Sequence, residues 1–234
     1  MENRTVAQIV ASDMRTATIF KKYGIDFCCG GGKPVMEACK GKNVEALTIF
    51  KEIALLDVAM AETDFDTMEL DMLANHILST HHVYVKETTP IIIEFANKVA
   101  KVHGHAQPET IKIAALFNEI AVELQQHLMK EEGMLFPHII NLAIANRNGE
   151  QIPVPFGSVQ NPIRMMEMEH ESAGDLLKKI EQLSDNFRPP SHACNTYKAL
   201  YHHLKEFQDD LHIHIHLENN ILFPKAIAME NKGK

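Results

Sequence analysis

The chain has 234 residues, 45% of them hydrophobic, which is enough for one large or two modest domains with a real core. Its 23 Lys and Arg against 31 Asp and Glu leave a formal charge of −8, which disfavours a nucleic-acid or anionic-lipid partner. No apolar run approaches the ~20 residues of a membrane-spanning helix, and Met1 to Val10 carries Glu2 and Gln8 where a secretion signal would be continuously apolar, so a soluble, cytoplasmic protein is expected.

Apolar positions recur at three- and four-residue steps almost throughout, and this predicts an all-α fold. Residues 1–57 read as a small domain of three or four short helices. One runs from Met14 to Tyr23 and stops at Gly24, a left-handed cap. Pro34 and Gly41 bracket a second, and Asn43 is the expected N-cap of a third, Val44 to Leu56. Between the first two, the adjacent Cys28 and Cys29 precede Gly30, Gly31 and Gly32, a run that precludes helix and permits unusual backbone angles. The period is lost from Asp57 to Asp66, where Glu62, Asp64 and Asp66 gather, and the domain boundary is placed there.

Residues 66–230 read as four long helices, at about 66–102, 109–146, 161–186 and 192–230, for which a four-helix bundle is the default packing. Gly104 and Pro108 separate the first pair, a Gly- and Pro-rich stretch from Asn148 to Pro162 crosses between pairs, and Pro189 and Pro190 separate the last two. Pro90, Pro137 and Pro224 fall inside periodic stretches, where kinks or breaks are expected.

The composition is unusual in holding 14 His but only 4 Cys, so the abundant metal-type donors are imidazoles. Two segments nearly repeat one another. His127, Glu131 and Leu135-Phe136-Pro137 match His214, Glu218 and Leu222-Phe223-Pro224 at identical offsets. A four-residue step puts each His and Glu on one helix face. His127 follows His82 by 45 residues and His214 follows His170 by 44, so each half offers one His and then a His-x-x-x-Glu. Antiparallel helices bring such positions level. Together they supply four imidazoles and two carboxylates, whose burial without partners would cost several kcal/mol, a cost that metal coordination removes.

Rival readings exist for several of these residues. An isolated His-x-x-x-Glu is equally a surface hydrogen bond. His202 and Glu206 share the spacing without the Leu-Phe-Pro tail and read as a solvated pair, while His105 and Glu109 span Pro108 and cannot share a helix. His81 is a rival to His82, and His76 a candidate to sit behind it. His103, His138, His192, His203, His212 and His216 read as exposed or structural. Met129, Met134, Met165, Met166 and Met168 read as flexible core packing rather than as a copper site. Six donors without thiolate exceed a structural zinc site, so two bridging carboxylates holding two iron or manganese ions are preferred on stoichiometry, with two zinc ions the alternative. Open coordination positions would admit O₂, NO or peroxide.

The paired His-x-x-x-Glu segments, the stretch Met166-Glu167-Met168-Glu169-His170 and the early Asp26-Phe27-Cys28-Cys29-Gly30-Gly31 resemble the iron-sulfur cluster repair di-iron proteins, over nearly the whole chain. The resemblance implies a small N-terminal domain with vicinal cysteines joined to a haemerythrin-like bundle. It makes His82, His127, His170 and His214 the imidazole ligands of two iron ions and Glu131 and Glu218 the bridging carboxylates, with Glu123 and Glu169 near the centre. It further implies a cytoplasmic, often dimeric protein that restores iron-sulfur clusters damaged by oxidative or nitrosative stress, supplying iron to client proteins rather than turning over a fixed substrate.

Adjacent cysteines form a disulfide only in a strained geometry, so Cys28 and Cys29 are expected to be a reactive or metal-touching dithiol, exposed by the glycines and favoured as thiolate by Lys33. Two buried structural thiols are the bland alternative, and Cys39 and Cys194 are expected to be structural. Two further functions compete: an O₂ or NO carrier or sensor of the haemerythrin kind, which needs no thiol loop, and an NO- or peroxide-reducing enzyme. No glycine-rich dinucleotide fingerprint is present, so the latter would need an external reductant.

Overall fold

The computed structural model describes residues 4–56 and 64–232; residues 57–63 of the expected domain boundary lie outside this set. Among the described residues there is no β-strand, only an isolated bridge between Thr5 and Pro34. None of their helices is long and apolar enough to cross a membrane.

The chain opens with α1 (Val6–Ser12), capped by a reciprocal Thr5–Gln8 box in which each side chain accepts the other residue's backbone N–H. α2 (Arg15–Lys22) ends before Gly24, whose φ of +62° is the left-handed conformation expected there. α3 (Val35–Ala38) follows Pro34, and α4 (Ala46–Ala54) completes the N-terminal helices. Asn43 is not the cap of α4. Glu45 occupies that position with an extended backbone and no side-chain cap, so Asn43 stands two residues outside the helix.

The long helices are continuous in path but not uniformly α. α5 (Leu70–Ile77) passes through a π-helical turn (Leu78–His82) into α6 (Val83–His103). α7 (Glu109–Lys130) passes through a second (Glu131–Leu135) into α8 (Phe136–Asn148). α9 (Gln160–Leu183) is uninterrupted, and α10 (Asn195–Leu217) passes through a third π-turn (Glu218–Leu222) into α11 (Phe223–Lys232). The breaks expected at the prolines are absent. Pro90 lies within α6, whereas Pro137 and Pro224 occupy the second position of α8 and α11. Immediately upstream of the latter two, Phe136 and Phe223 bond their N–H groups five residues back, to the carbonyls of Glu131 and Glu218. The ladder widens ahead of each ring instead of breaking.

The chain divides into two compact units. One comprises residues 76–137 and 162–211. Within it α6, α7, α9 and α10 pack as four helices. The Phe207 ring of α10 meets Phe117 of α7 at 5.3 Å and Tyr84 of α6 at 6.3 Å, α10 also sets Gln208 against Glu181 of α9, and α7 sets His127 against His170 of α9. Ile92, Ile113, Ile120, Leu177 and Leu204 fill the interior.

The other unit comprises residues 1–75, 138–161 and 212–234. α1 packs on α2 and on the third π-turn, and α2 packs on α4. Arg147 of α8 grips Asp71 of α5 through both guanidinium nitrogens, at 2.8 and 2.7 Å, and holds that carboxyl below the usual range. Lys225 of α11 donates to the carbonyls of Asp66 and Met68. Buried Glu230 accepts from Val159 N–H and the Ser158 hydroxyl, which fixes the approach to α9.

Candidate metal centre

In the four-helix unit, α7 presents His127 and, at its junction with the second π-turn, Glu131 on one face; their Nε2 and Oε2 atoms are 3.2 Å apart. His82, the last residue of the first π-turn, brings its Nε2 to 3.4 Å from the same Oε2. His170 of α9 faces His127, with Nε2 to Nε2 at 3.1 Å. The donor atoms of His127, Glu131 and His170 all lie within 4.8 Å of one another. Glu131 is fully buried, and neither of its oxygens receives a hydrogen bond, because the neighbouring imidazoles are close without being directed as donors. A carboxylate so placed is expensive unless a cation completes it. This His–Glu cluster is therefore the arrangement of a metal site.

The far nitrogens of two of these rings are also held. His82 Nδ1 lies 2.9 Å from Glu132 Oε1, and the other oxygen of Glu132 accepts from Lys86 at 2.6 Å. His127 Nδ1 lies 3.0 Å from Glu169 Oε2, and Lys130 donates to the other oxygen of Glu169. Burial pushes both carboxyls up, but the lysine and imidazole donors outweigh it and hold both below the ordinary glutamate range. Carboxylates behind ligand imidazoles fix ring orientation and raise basicity. Glu123 accepts only the Ser172 hydroxyl among the bonds described.

In the other unit, His214 Nε2 is 2.9 Å from Glu218 Oε1, both side chains being buried, at the start of the third π-turn. His216 and Asn220, from the same stretch of helix, hold the cysteine loop. His216 donates its Nδ1–H to the Phe27 carbonyl at 3.0 Å, and Asn220 donates to the Cys28 carbonyl at 2.8 Å. Burial pushes the His216 ring down to about 4, so it is neutral at pH 7. Asp26 organises the loop itself, accepting from the N–H groups of Cys28, Cys29 and Gly30.

The two thiols differ. Cys29 is exposed, but Cys28 is buried, contrary to the expectation that the glycines expose both. The Cys29 thiol beside it, burial and the Asp26 carboxylate together push the Cys28 thiol far up, so Lys33 does not make Cys28 a thiolate. Nor do the three glycines adopt left-handed angles; the positive-φ glycines among the described residues are Gly24, Gly41, Gly149 and Gly157. Gly31 is needed for room, since a Cβ there would lie 2.3 Å from the Phe27 carbonyl oxygen.

Other candidates are separated by their surroundings. His81 turns its Nδ1 to Asp210 at 2.9 Å, and His76 packs edge-on against the His81 ring. His202 and Glu206 pair on the surface, and His105 lies in the α6–α7 connection whereas Glu109 is the first residue of α7. Of the five methionines expected in the core only Met166 is buried; Met129, Met134, Met165 and Met168 are exposed because they lie on outward helix faces. Cys39 is buried, whereas Cys194 is exposed, with its Sγ 3.4 Å from His103 Nε2. Glu132, which holds His82 Nδ1, escapes a spacing search because its partners His82 and Lys86 come from another stretch of helix.

A family model described as the hemerythrin HHE cation binding domain matches residues 73–226, and one described as a domain of unknown function (DUF542) matches residues 2–57. The chain is 38% identical over 227 residues to a probable iron-sulfur cluster repair protein of Haemophilus influenzae, covering 95% of this chain and 96% of that one. It is 36% identical over 228 residues to the iron-sulfur cluster repair protein YtfE of an Enterobacter species, covering 97% and 98% of the two chains. For the YtfE protein of Escherichia coli O157:H7 the identity is 35% over the same length.

Proposed function

This chain belongs to the iron-sulfur cluster repair protein family, and from that premise we propose that it restores damaged clusters by supplying iron from a two-iron centre held by His82, His127, Glu131, His170, His214 and Glu218. The observation that carries the reading is Glu131, fully buried and without a hydrogen bond on either oxygen while two imidazole nitrogens stand at 3.2 and 3.4 Å. The match to the cation-binding domain runs unbroken through all six donors. Were Glu131 and Glu218 shared between two ions, the four imidazoles would suffice to complete both and every donor would be used.

When bound, the iron pair supplies exchangeable positions that take small ligands such as O₂ or NO. The chain's own residues set its terms. Glu132 and Glu169 orient His82 and His127, and the buried helix faces limit water. Residues 1–57 and 66–230 act as two domains, the first carrying the dithiol. Cys29, exposed, is the thiol that first meets a client or leaving iron, with Cys28 behind it. The clients are cytoplasmic iron-sulfur proteins damaged by oxidative or nitrosative stress, met by a homodimer without nucleic acid or membrane.

Iron analysis with visible and Mössbauer spectra tests the centre. The wild type is expected to hold two iron ions per chain, and Glu131→Leu and Glu218→Leu to lose the coupled signal. A wild type that takes up no iron under anaerobic reconstitution overturns the proposal. Iron-loaded wild type, but not iron-loaded Glu131→Leu, is expected to restore activity to a peroxide- or NO-damaged cluster enzyme.

A further inference from the structure

His82 is almost wholly buried, with its ring 5.3 Å from that of Phe136. A neutral imidazole carries one proton on two nitrogens, and which nitrogen holds it is set by what each faces. Two carboxylates adjacent in sequence face this ring on its two sides. Glu132 Oε1 stands at hydrogen-bond distance, 2.9 Å, from Nδ1, and Glu131 Oε2 stands 3.4 Å from Nε2. A carboxylate accepts and does not donate, so a bond from this ring to Glu132 requires a proton on Nδ1.

Lys86, four residues beyond His82, binds the remaining oxygen of Glu132. Both oxygens of that carboxylate are then engaged, and it stays an acceptor. An exposed Lys–Glu pair alone would be ordinary surface decoration that contributes little. Here one oxygen is committed to a buried ring instead. The second copy of the sequence repeat has Asn219 at the matching position, so the His-x-x-x-Glu helix and its Leu-Phe-Pro tail do not by themselves require a carboxylate there.

Resting on the reading of His82 as a ligand, we propose that Glu132, steadied by Lys86, is the positioning residue of His82: it fixes the ring as the Nδ1–H tautomer and presents the Nε2 lone pair to the metal. Glu132 touches neither metal nor client and acts only through the imidazole.

The test uses the full-length chain with ¹⁵N-labelled histidine. In metal-free wild type, long-range ¹H–¹⁵N correlations are expected to show His82 with a protonated Nδ1 and a bare Nε2. Glu132→Leu should give a tautomer mixture, and Glu132→Gln, whose amide oxygen still accepts, should restore the wild-type pattern. Lys86→Met keeps the test open if Glu132→Leu does not fold, and is expected to broaden the same signals. Chelator competition should show Fe(II) held roughly 10- to 100-fold more weakly by Glu132→Leu, with most of the loss recovered in Glu132→Gln. An Nε2–H tautomer in the wild type, or an unchanged pattern in both Glu132→Leu and Lys86→Met, overturns the proposal. A wild type that binds no iron overturns the functional reading instead, and the tautomer measurement then decides the positioning role alone.

Discussion

At the residue scale, three consecutive glycines beside the cysteines do different work. Gly31 lies so close to the Phe27 carbonyl that an added Cβ would overlap it, and the same Cβ would meet Ala7 at 3.0 Å. Around Gly32 nothing lies within 4 Å. Backbone cannot move aside as a flexible side chain can, so Gly31→Ala should cost about 1 to 3 kcal/mol. Gly32→Ala should be neutral or slightly stabilising through the unfolded chain. Denaturant unfolding of the two variants separates them, and equal midpoints would show that the loop is not packed as described. The sequence exposes the glycine run and its permissiveness but not which member is indispensable. That depends on a carbonyl four residues earlier, and its direction is set only when Asp26 gathers the following N–H groups.

At the scale of elements, the repeated His-x-x-x-Glu segments were legible because helical geometry places positions four apart on one face, and His127 and Glu131 do approach to 3.2 Å. The π-turns that begin at Glu131 and Glu218 were not. α and π ladders are built by the same residues and differ only in which carbonyl each N–H reaches, and here the N–H groups of Phe136 and Phe223 reach those of Glu131 and Glu218. The prolines advertise trouble at the right places but suggest a break where the chain instead widens.

The third π-turn also bears Asn220, whose amide holds the Cys28 carbonyl while His216 holds that of Phe27. Loop and donor helix are thus joined through two backbone carbonyls, a contact no local pattern reveals because the partners are 192 residues apart. Removing the Asn220 donor in Asn220→Ala should free the buried Cys28 more than the already exposed Cys29. Mass-spectrometric timing of iodoacetamide labelling should show Cys28 alkylated several-fold faster, with Cys29 little changed. Parallel acceleration of both thiols would mean general unfolding, and no change would mean the contact does not restrain the loop.

At the scale of the whole molecule, the all-helical class followed from periodicity, because long amphipathic stretches have few packing solutions. The fate of individual polar residues did not follow, since burial depends on which helix covers them. His138 is an example. Its sequence context allows an exposed or a structural place alike; it lies 7% exposed in α8, edge-on to Phe156 at 4.8 Å, with Nε2 buried and without a hydrogen bond. Burial pushes its ring below the ordinary histidine value, and the Glu230 carboxylate only partly offsets this. The unfolded chain therefore takes up this proton first as pH falls. Its contribution to stability is complete above about 6.5 and is lost as pH drops through that value toward the depressed folded one. His138→Phe keeps a ring against Phe156 and removes the titration. In metal-free protein unfolded with urea, the fall in stability between pH 7.5 and pH 5.5 should be smaller in His138→Phe than in the wild type. Equal falls would show that the His138 ring is already protonated, or already hydrated, in the folded chain.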